Sequence, residues 1–318
     1  MSMKRTVRAI LATAATIALG AAPVANVANA ANVTPAQVAG NTPVGTVKPW
    51  DAPSSPPTYV RTGGPQEWVQ QVDHKNVLSY LVHSPSMNRD IPIAVVPATD
   101  GNGNRVSNAP TIYLLNGAGG AEQNQWETFL TKELPGPIER TLGADNRRAI
   151  VGFSMSGTSS MVLPAHNPGF YDAAASFSGC PATSSPHAYT YARLTVNRGG
   201  NPTFQDVTPE RMWGPMGGEY NRYNDALINA EQLRGTALYF STATGLAGRS
   251  DQVSYLVGKG LPEVVAPIGA AQLQVEGGII EAAINQCNHD MRVKLDSLGI
   301  PAHYEFRNAG THSWPYWL

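Results

Sequence analysis

The hydrophobic positions of this chain alternate between short apolar runs and longer helical patterns. The apolar runs have the length of buried strands, and they occupy residues 111–115, 149–153, 173–178, 237–241 and 302–306. The helical patterns fall at 127–142, which Pro135 and Pro137 interrupt, at 156–165, and at 276–298, where Gly299 is a stop signal. Strands alternating with helices predict an α/β fold with a largely parallel sheet. Strand-like patterns at 68–84 and 89–98 precede that alternation.

The N-terminal pattern predicts export. Lys4, Arg5 and Arg8 form a basic start, residues 9–22 are apolar, and residues 28–30 read Ala-Asn-Ala. This order is typical of a signal peptide, which we assign to residues 1–30. Residues 31–65, rich in Pro, Thr, Ser, Val and Ala, predict an extended leader. The folded domain is therefore predicted at 66–318, and without a second spanning segment we expect a soluble exported protein.

Composition narrows the class further. The chain has 318 residues, a formal net charge of -1 and 14% charged residues, which does not favour a nucleic-acid binder. In an oxidising compartment its two cysteines, Cys180 and Cys287, predict a disulfide, the alternative being two buried free thiols. We predict neither a metal site nor a cofactor.

One turn carries the clearest chemical signal. Residues 152–157 read Gly-Phe-Ser-Met-Ser-Gly, between an apolar strand and a helix. A sharp strand-to-helix turn with small neighbours is the setting of a serine nucleophile, usually written G-x-S-x-G. Ser156 stands where the second glycine is usual, and Gly157 follows it. The sequence predicts Ser154 as a nucleophile, while its alternative role is that of a simple helix N-cap.

A serine nucleophile needs a base and an acid, which in such folds follow it in the order acid, then histidine. His312 comes directly after the last predicted strand, where the fold delivers its base. Four acidic residues satisfy the order, and spacing does not choose among them: Asp251, Glu263, Glu276 and Glu281.

The oxyanion hole needs two backbone N–H donors. The residue after the nucleophile, Met155, supplies one. The Gly-rich loop 115–120 is expected to supply the other, because glycine lets the backbone approach an acyl oxygen. The same loop lacks the lysine and spacing of a phosphate-binding loop, which makes a nucleotide site a weak alternative.

Longer blocks of sequence resemble one family. They are residues 113–117 (YLLNG), 126–135 (WETFLTKELP), 152–157 (GFSMSG), 212–215 (MWGP), 233–239 (LRGTALY) and 310–317 (GTHSWPYW). The chain resembles the mycolyltransferases of the antigen 85 type, including their corynebacterial relatives, from about Gln66 onward. The resemblance implies an α/β-hydrolase fold with a mostly parallel sheet flanked by helices.

The resemblance also implies a reaction. Trehalose monomycolate would donate its mycoloyl group to Ser154, and the acyl-enzyme would pass it to trehalose or to cell-wall arabinogalactan. His312 would be the base and Glu281 the acid, with Glu276 as the fallback. The protein would be a secreted monomer in peripheral contact with the mycolate-containing envelope.

Further site residues follow from the same resemblance. Ala118 and Met155 would form the oxyanion hole, and Asn116, Gly117 and Trp314 would contact substrate. Asn116 and Gly119 replace residues that help relatives grip trehalose.

Two length differences accompany the resemblance. Residues 119–125 join directly two blocks that a helix and a strand separate in the family, and the chain ends at Leu318, where relatives add a helix. We therefore expect a domain that lacks one internal strand–helix unit, or an incomplete sequence. The alternatives to a transferase are a general carboxylesterase with the same triad and an inactive paralogue that binds envelope glycolipid.

Overall fold

The computed structural model describes residues 44–49, 77–115, 125–198 and 208–317, without the side chains of 194–198. The predicted signal peptide, most of the predicted leader and the loop 116–124 lie outside the described residues. These residues form two compact units, one built from 44–49, 77–112 and 125–149, the other from 113–115, 150–198 and 208–317. Within the described ranges, no helix has the length and apolar character needed to cross a membrane.

A three-stranded antiparallel sheet lies in the first unit. Its strands are β1 (Thr46–Pro49), β2 (Leu78–Ser84) and β3 (Arg89–Val95), in the order β1-β2-β3. A tight turn closes the β2–β3 hairpin, with Asn88 at a positive φ of 48°. The strand β1 corrects the predicted leader at 31–65, because residues 46–49 pair with β2. A four-residue edge strand ending in proline has no alternation by which its sequence could reveal it.

The helix predicted over 127–142 exists, with an unexpected internal geometry. It consists of α1 (Trp126–Thr128), a π-helical turn (Phe129–Glu133) and α2 (Pro135–Leu142). Pro135 begins a new α-helical segment, where a missing N–H costs nothing. The buried Glu133 accepts hydrogen bonds from the Ser84 hydroxyl and, at 2.7 Å, from the Ser86 N–H. The WETFLTKELP block therefore anchors the hairpin.

The second sheet confirms the predicted fold class. Its five parallel strands stand in the order β4-β5-β6-β7-β8. They are β4 (Thr111–Leu114), β5 (Arg148–Phe153), β6 (Ala173–Phe177), β7 (Ala237–Ala243) and β8 (Ala302–Arg307). Among the described strands, this sheet and the antiparallel one do not share a ladder.

The helices of the second unit flank this sheet. They are α3 (Met155–His166), α4 (Pro186–Arg198), α5 (Pro209–Trp213), α6 (Glu219–Tyr223), α7 (Val253–Gly258), α8 (Ala266–Gln272) and α9 (Gly278–Ser297). A π-helical turn, Leu273–Gly277, joins α8 to α9. Helical structure thus begins ten residues before the predicted start at 276. The sequence did not predict α8 because that helix buries only Ala266 and Ala270 and has no clear apolar periodicity. Gly299, at a φ of 64°, ends the helix as predicted.

The predicted disulfide between Cys180 and Cys287 is present. It joins the segment that follows β6 to the middle of α9. Beside it, the Asn288 side chain donates a 2.9 Å hydrogen bond to the Gly179 carbonyl. The bridge therefore fixes α9 against the loop that leaves the centre of the sheet.

Candidate active site

Ser154 occupies the sharp turn between β5 and α3. Its backbone lies at φ 56° and ψ -121°, a conformation that a side chain other than glycine rarely adopts. Strain of this kind is worth on the order of 1–3 kcal/mol and persists only where the surroundings enforce it. One enforcing contact is the 2.8 Å hydrogen bond from the Ser154 N–H to the Phe177 carbonyl of the neighbouring strand.

Two glycines make this turn possible. A Cβ on Gly152 would lie 2.0 Å from the Ser156 carbonyl oxygen, and one on Gly157 would lie 2.8 Å from the Gly179 Cα. The close approach to the next strand therefore falls at position 157, so a side chain is tolerated at Ser156. That side chain is used, because the Ser156 hydroxyl accepts the Phe153 N–H at 2.9 Å inside the turn.

His312 lies within hydrogen-bond distance of both Ser154 and Glu281. Its Nε2 is 2.8 Å from the Ser154 Oγ, and its Nδ1 is 2.8 Å from the Glu281 Oε2. With the proton on Nδ1, the ring donates to Glu281 and leaves Nε2 free to accept the serine proton. The His312 N–H donates to the Gly277 carbonyl at 3.0 Å, which fixes the backbone behind the ring.

Glu281 is held in place by donors that the sequence did not reveal. Its side chain is 1% exposed. The Oε1 atom accepts the Ser178 hydroxyl at 2.6 Å, the Thr242 hydroxyl at 3.0 Å and the Ala243 N–H at 2.9 Å. Because those donors occupy Oε1, Oε2 is left for His312. Ser178 and Thr242 stand at the carboxyl ends of β6 and β7, where a parallel sheet gathers its functional groups.

The other acids that satisfied the chain order lie elsewhere. Glu263 and Glu276 are exposed, and Glu276 accepts a hydrogen bond from Gln272 at 3.3 Å. Asp251 is buried, but its carboxylate binds the Thr311 hydroxyl. Of the four, Glu281 is the one whose carboxylate contacts His312.

Aromatic rings pack around the histidine. Trp317 meets the His312 ring edge-on at 5.0 Å between centroids, and its Nε1 donates to the Ser178 hydroxyl at 2.8 Å. Trp314 is half-buried and packs against Phe153 at 5.7 Å. Trp317 thus continues the hydrogen-bond chain behind Glu281, a role that its place in the THSWPYW block did not indicate.

The remaining predicted site residues are described only in part. Met155 is the first residue of α3, so its N–H has no helical acceptor and is available as an oxyanion donor. Asn116, Gly117 and Ala118 lie outside the described residues. In the part of the chain that the structure covers, no group of acidic, histidine or cysteine side chains could hold a metal ion.

Comparison with known proteins identifies the family of the chain. The sequence model of an esterase family, described as "Putative esterase", matches residues 48–318. Mycobacterium avium diacylglycerol acyltransferase/mycolyltransferase Ag85B is 27% identical over 203 residues, which are 63% of this chain and 54% of that protein. Ag85A of Mycobacterium tuberculosis is 27% identical over 205 residues, 63% of this chain and 53% of that protein. The chain thus spans about half the length of these relatives.

Solved structures support the fold. The structure of MPT51 (FbpC1) from Mycobacterium tuberculosis superposes with a TM-score of 0.52 at 22% identity. The match covers 74% of this chain and 90% of that one. Together with the parallel sheet, it establishes the α/β-hydrolase fold, and the resemblance to the antigen 85 type is confirmed.

Proposed function

Because the chain belongs to the esterase family whose model it matches over residues 48–318, we propose that it is an exported serine acyltransferase. It moves a mycoloyl group from trehalose monomycolate to trehalose or to cell-wall arabinogalactan. The observation that carries the proposal is the hydrogen-bonded series Ser154–His312–Glu281, with both contacts at 2.8 Å. Relatives named as acyltransferases and mycolyltransferases favour acyl transfer over other serine chemistry.

The first half-reaction acylates Ser154. Its hydroxyl attacks the ester carbonyl while His312 Nε2 takes the proton, and Glu281 stabilises the resulting imidazolium. The Met155 N–H, together with Ala118, binds the oxyanion of the tetrahedral intermediate. The intermediate collapses to the acyl-enzyme, and His312 returns the proton to the departing trehalose oxygen. The second half-reaction runs the same steps in reverse with a sugar hydroxyl as the attacking group.

Exposed apolar side chains beside the site favour a lipid acyl group. Val275 and Ile279, four residues apart on one helical face, are 61% and 62% exposed. They flank Gly277, whose carbonyl holds His312. Leu246, 67% exposed, follows Gly245, where the chain touches the start of α9 at Gly278. Contiguous exposed apolar patches mark interaction sites, and we propose that these three side chains contact the acyl chain.

Export accounts for two further features. The basic and apolar start of the chain has the form of a signal peptide, and the Cys180–Cys287 bridge suits an oxidising compartment. We therefore place the protein, as a monomer, in peripheral contact with the mycolate-containing envelope.

A hydrolase is the second candidate. The matching family is described as an esterase, and water in place of the sugar acceptor would turn the same acyl-enzyme into a free acid. A third possibility keeps the fold for binding envelope glycolipid without turnover. The three functions differ in whether Ser154 is acylated and in whether the product is a sugar ester or a free acid.

A two-part experiment separates them. First, a fluorophosphonate probe is applied to the wild type and to Ser154→Ala and His312→Ala; we expect rapid labelling of the wild type alone. Equal labelling of wild type and His312→Ala would remove the catalytic proposal and favour the binding role. Second, the wild type is incubated with a trehalose monoester. Trehalose diester supports the transferase, whereas release of free acid alone supports the esterase.

A further inference from the structure

A second buried carboxylate contacts the loop that follows β8 and carries His312 (the histidine loop, residues 308–317). Asp251 is 0% exposed, and no ion pair among the described residues involves it. Its Oδ1 accepts the Thr311 hydroxyl at 2.6 Å. Its Oδ2 accepts the Tyr316 hydroxyl at 2.7 Å and the Gly248 N–H at 2.8 Å. Burying a carboxylate without a cation is costly unless such donors compensate it.

Two glycines leave the space that Tyr316 needs to reach this carboxylate. A Cβ on Gly248 would lie 2.5 Å from the Tyr316 hydroxyl oxygen. A Cβ on Gly310 would lie 2.9 Å from the Tyr316 ring, and Gly310 itself has a φ of 141°. Side chains at either position would push the tyrosine out. The contact between Tyr316 and Asp251 therefore depends on two separate glycines.

These contacts fall on residues before and after His312 in the sequence. Thr311 precedes the histidine directly, and Tyr316 follows it by four residues. A third link comes from Gln274, whose side chain donates to the Asp251 carbonyl at 3.0 Å within the same π-helical turn that supplies Gly277 to the His312 N–H. The turn carrying Asp251 thus reaches the histidine loop through side chains and through the backbone.

We propose that Asp251 is a positioning residue for the base, acting through Thr311 and Tyr316 to hold His312 where it reaches both Ser154 and Glu281. The proposal rests on the proposed function only for its kinetic consequence. Its structural content is that the His312–Glu281 contact depends on the Thr311 hydroxyl. A displacement of about 1 Å in a catalytic group is enough to cost on the order of 100-fold in rate.

Thr311 offers a matched pair of variants. Thr311→Ser keeps the hydroxyl, whereas Thr311→Val keeps the shape and leaves Asp251 Oδ1 without its donor. With a p-nitrophenyl ester, we expect kcat to fall about tenfold or more in Thr311→Val with KM nearly unchanged, and to stay within about twofold of wild type in Thr311→Ser. Equal kcat values in the two variants would overturn the proposal.

Two further measurements separate positioning from loss of folding or of function. The low-field proton resonance of His312 Nδ1–H, identified by its absence in His312→Ala, should persist in Thr311→Ser and be lost or broadened in Thr311→Val. This arm needs no turnover, so it tests the proposal even if the wild type fails to acylate. Asp225→Ala is the control for Asp251→Ala, because Asp225 is also buried and accepts from Thr183 and Ser184. We expect both to lower Tm but only Asp251→Ala to lower kcat at temperatures where both are folded; equal kcat losses would contradict the proposal.

Discussion

Glu281 and Asp251 are two buried carboxylates on different elements, and both bind the loop that carries His312. Both lie between Ser154 and His312 in the sequence, and their exposures are 1% and 0%. Both accept hydrogen bonds from hydroxyl and backbone donors. They differ in the partners of their second oxygen atom. Glu281 offers Oε2 to the His312 ring, whereas both oxygens of Asp251 are occupied by Thr311, Tyr316 and Gly248.

The comparison shows what makes a buried acid available to a base. Burial and chain order are shared by the two residues and so cannot decide between them. The placement of the donors decides, because each carboxylate has three donors besides the histidine. Those of Glu281 all bind Oε1, whereas those of Asp251 occupy both oxygens. A carboxylate whose two oxygens are both taken can hold the loop but cannot orient the ring. Glu281 is thus suited to act on His312 directly, and Asp251 through its neighbours.

The largest effect is expected from removing the charge of Glu281. Glu281→Gln keeps the size of the side chain but cannot accept the Nδ1 proton in the same way, so the wrong ring tautomer is favoured. By analogy with such changes in serine enzymes, we expect kcat to fall on the order of 10³–10⁴-fold. Steady-state kinetics with a p-nitrophenyl ester provide the measurement.

Glu276→Gln is the matched control for that prediction. Glu276 is exposed and contacts Gln272 rather than His312. We expect its kcat to remain within about twofold of wild type, as is usual for exposed substitutions. A loss comparable to that of Glu281→Gln would mean that the acid had been assigned to the wrong residue.

These two acids also show where sequence reasoning stops. The strand-to-helix turn could be located from apolar residues 149–153 and the small residues around Ser154, because its geometry is local. The acid could not, because Glu281 and His312 are 31 residues apart and meet only when α9 and the last loop are both in place. Family resemblance preferred Glu281, while chain order alone left four acids open.

The supporting residues were beyond the sequence for the same reason. Ser178, Thr242 and Trp317 contact Glu281 or its donors across separate strands and loops. Ser178 carries one local sign, since it directly follows a buried strand beside the turn, and that position is where parallel sheets place functional groups. The strand β1 and the helix α8 escaped prediction because neither shows a clear apolar period.

The Cys180–Cys287 disulfide links the segments that carry Glu281 and its donor Ser178. Cys287 lies six residues after Glu281 on α9, and Cys180 lies two after Ser178, which bonds to Glu281. The bridge spans 107 residues, and removing a cross-link over a loop of that size costs about 2–5 kcal/mol. We expect Cys180→Ser/Cys287→Ser to lower the free energy of unfolding by that amount in urea titrations.

Activity of the folded double variant then distinguishes two roles of the bridge. Glu281 keeps its own donors from Thr242 and Ala243 on β7, which the bridge does not touch. We therefore expect kcat at low temperature to stay within about threefold of wild type. A loss as large as that of Glu281→Gln would show that the bridge, and not the strand-end donors, sets the position of the acid.

The smallest effect is a change in alkaline stability on the Asp251 side of the comparison. Burial, followed by the hydrogen bond to Asp251, raises the pKa of Tyr316 above its ordinary value of 10.0. Because the folded state holds the proton more tightly than the unfolded state, the stabilisation is complete below about pH 10 and is lost as the pH rises further. We expect the Tm of wild type to decline above pH 10 and that of Tyr316→Phe to decline less steeply.

Tyr304 supplies the control for this last prediction. Burial raises the pKa of Tyr304 to about 12, but among the described residues its hydroxyl has no hydrogen-bond partner, and it lies on β8. Tyr304→Phe should therefore also flatten the alkaline decline, because it removes a second raised tyrosine. At neutral pH the two should differ: Tyr316→Phe removes a hydrogen bond to a charged group, worth about 1–3 kcal/mol, and lowers Tm, whereas Tyr304→Phe does not. Equal Tm values at neutral pH would mean that Asp251 is satisfied without Tyr316, and among its side-chain contacts to the histidine loop only the one to Thr311 would then matter.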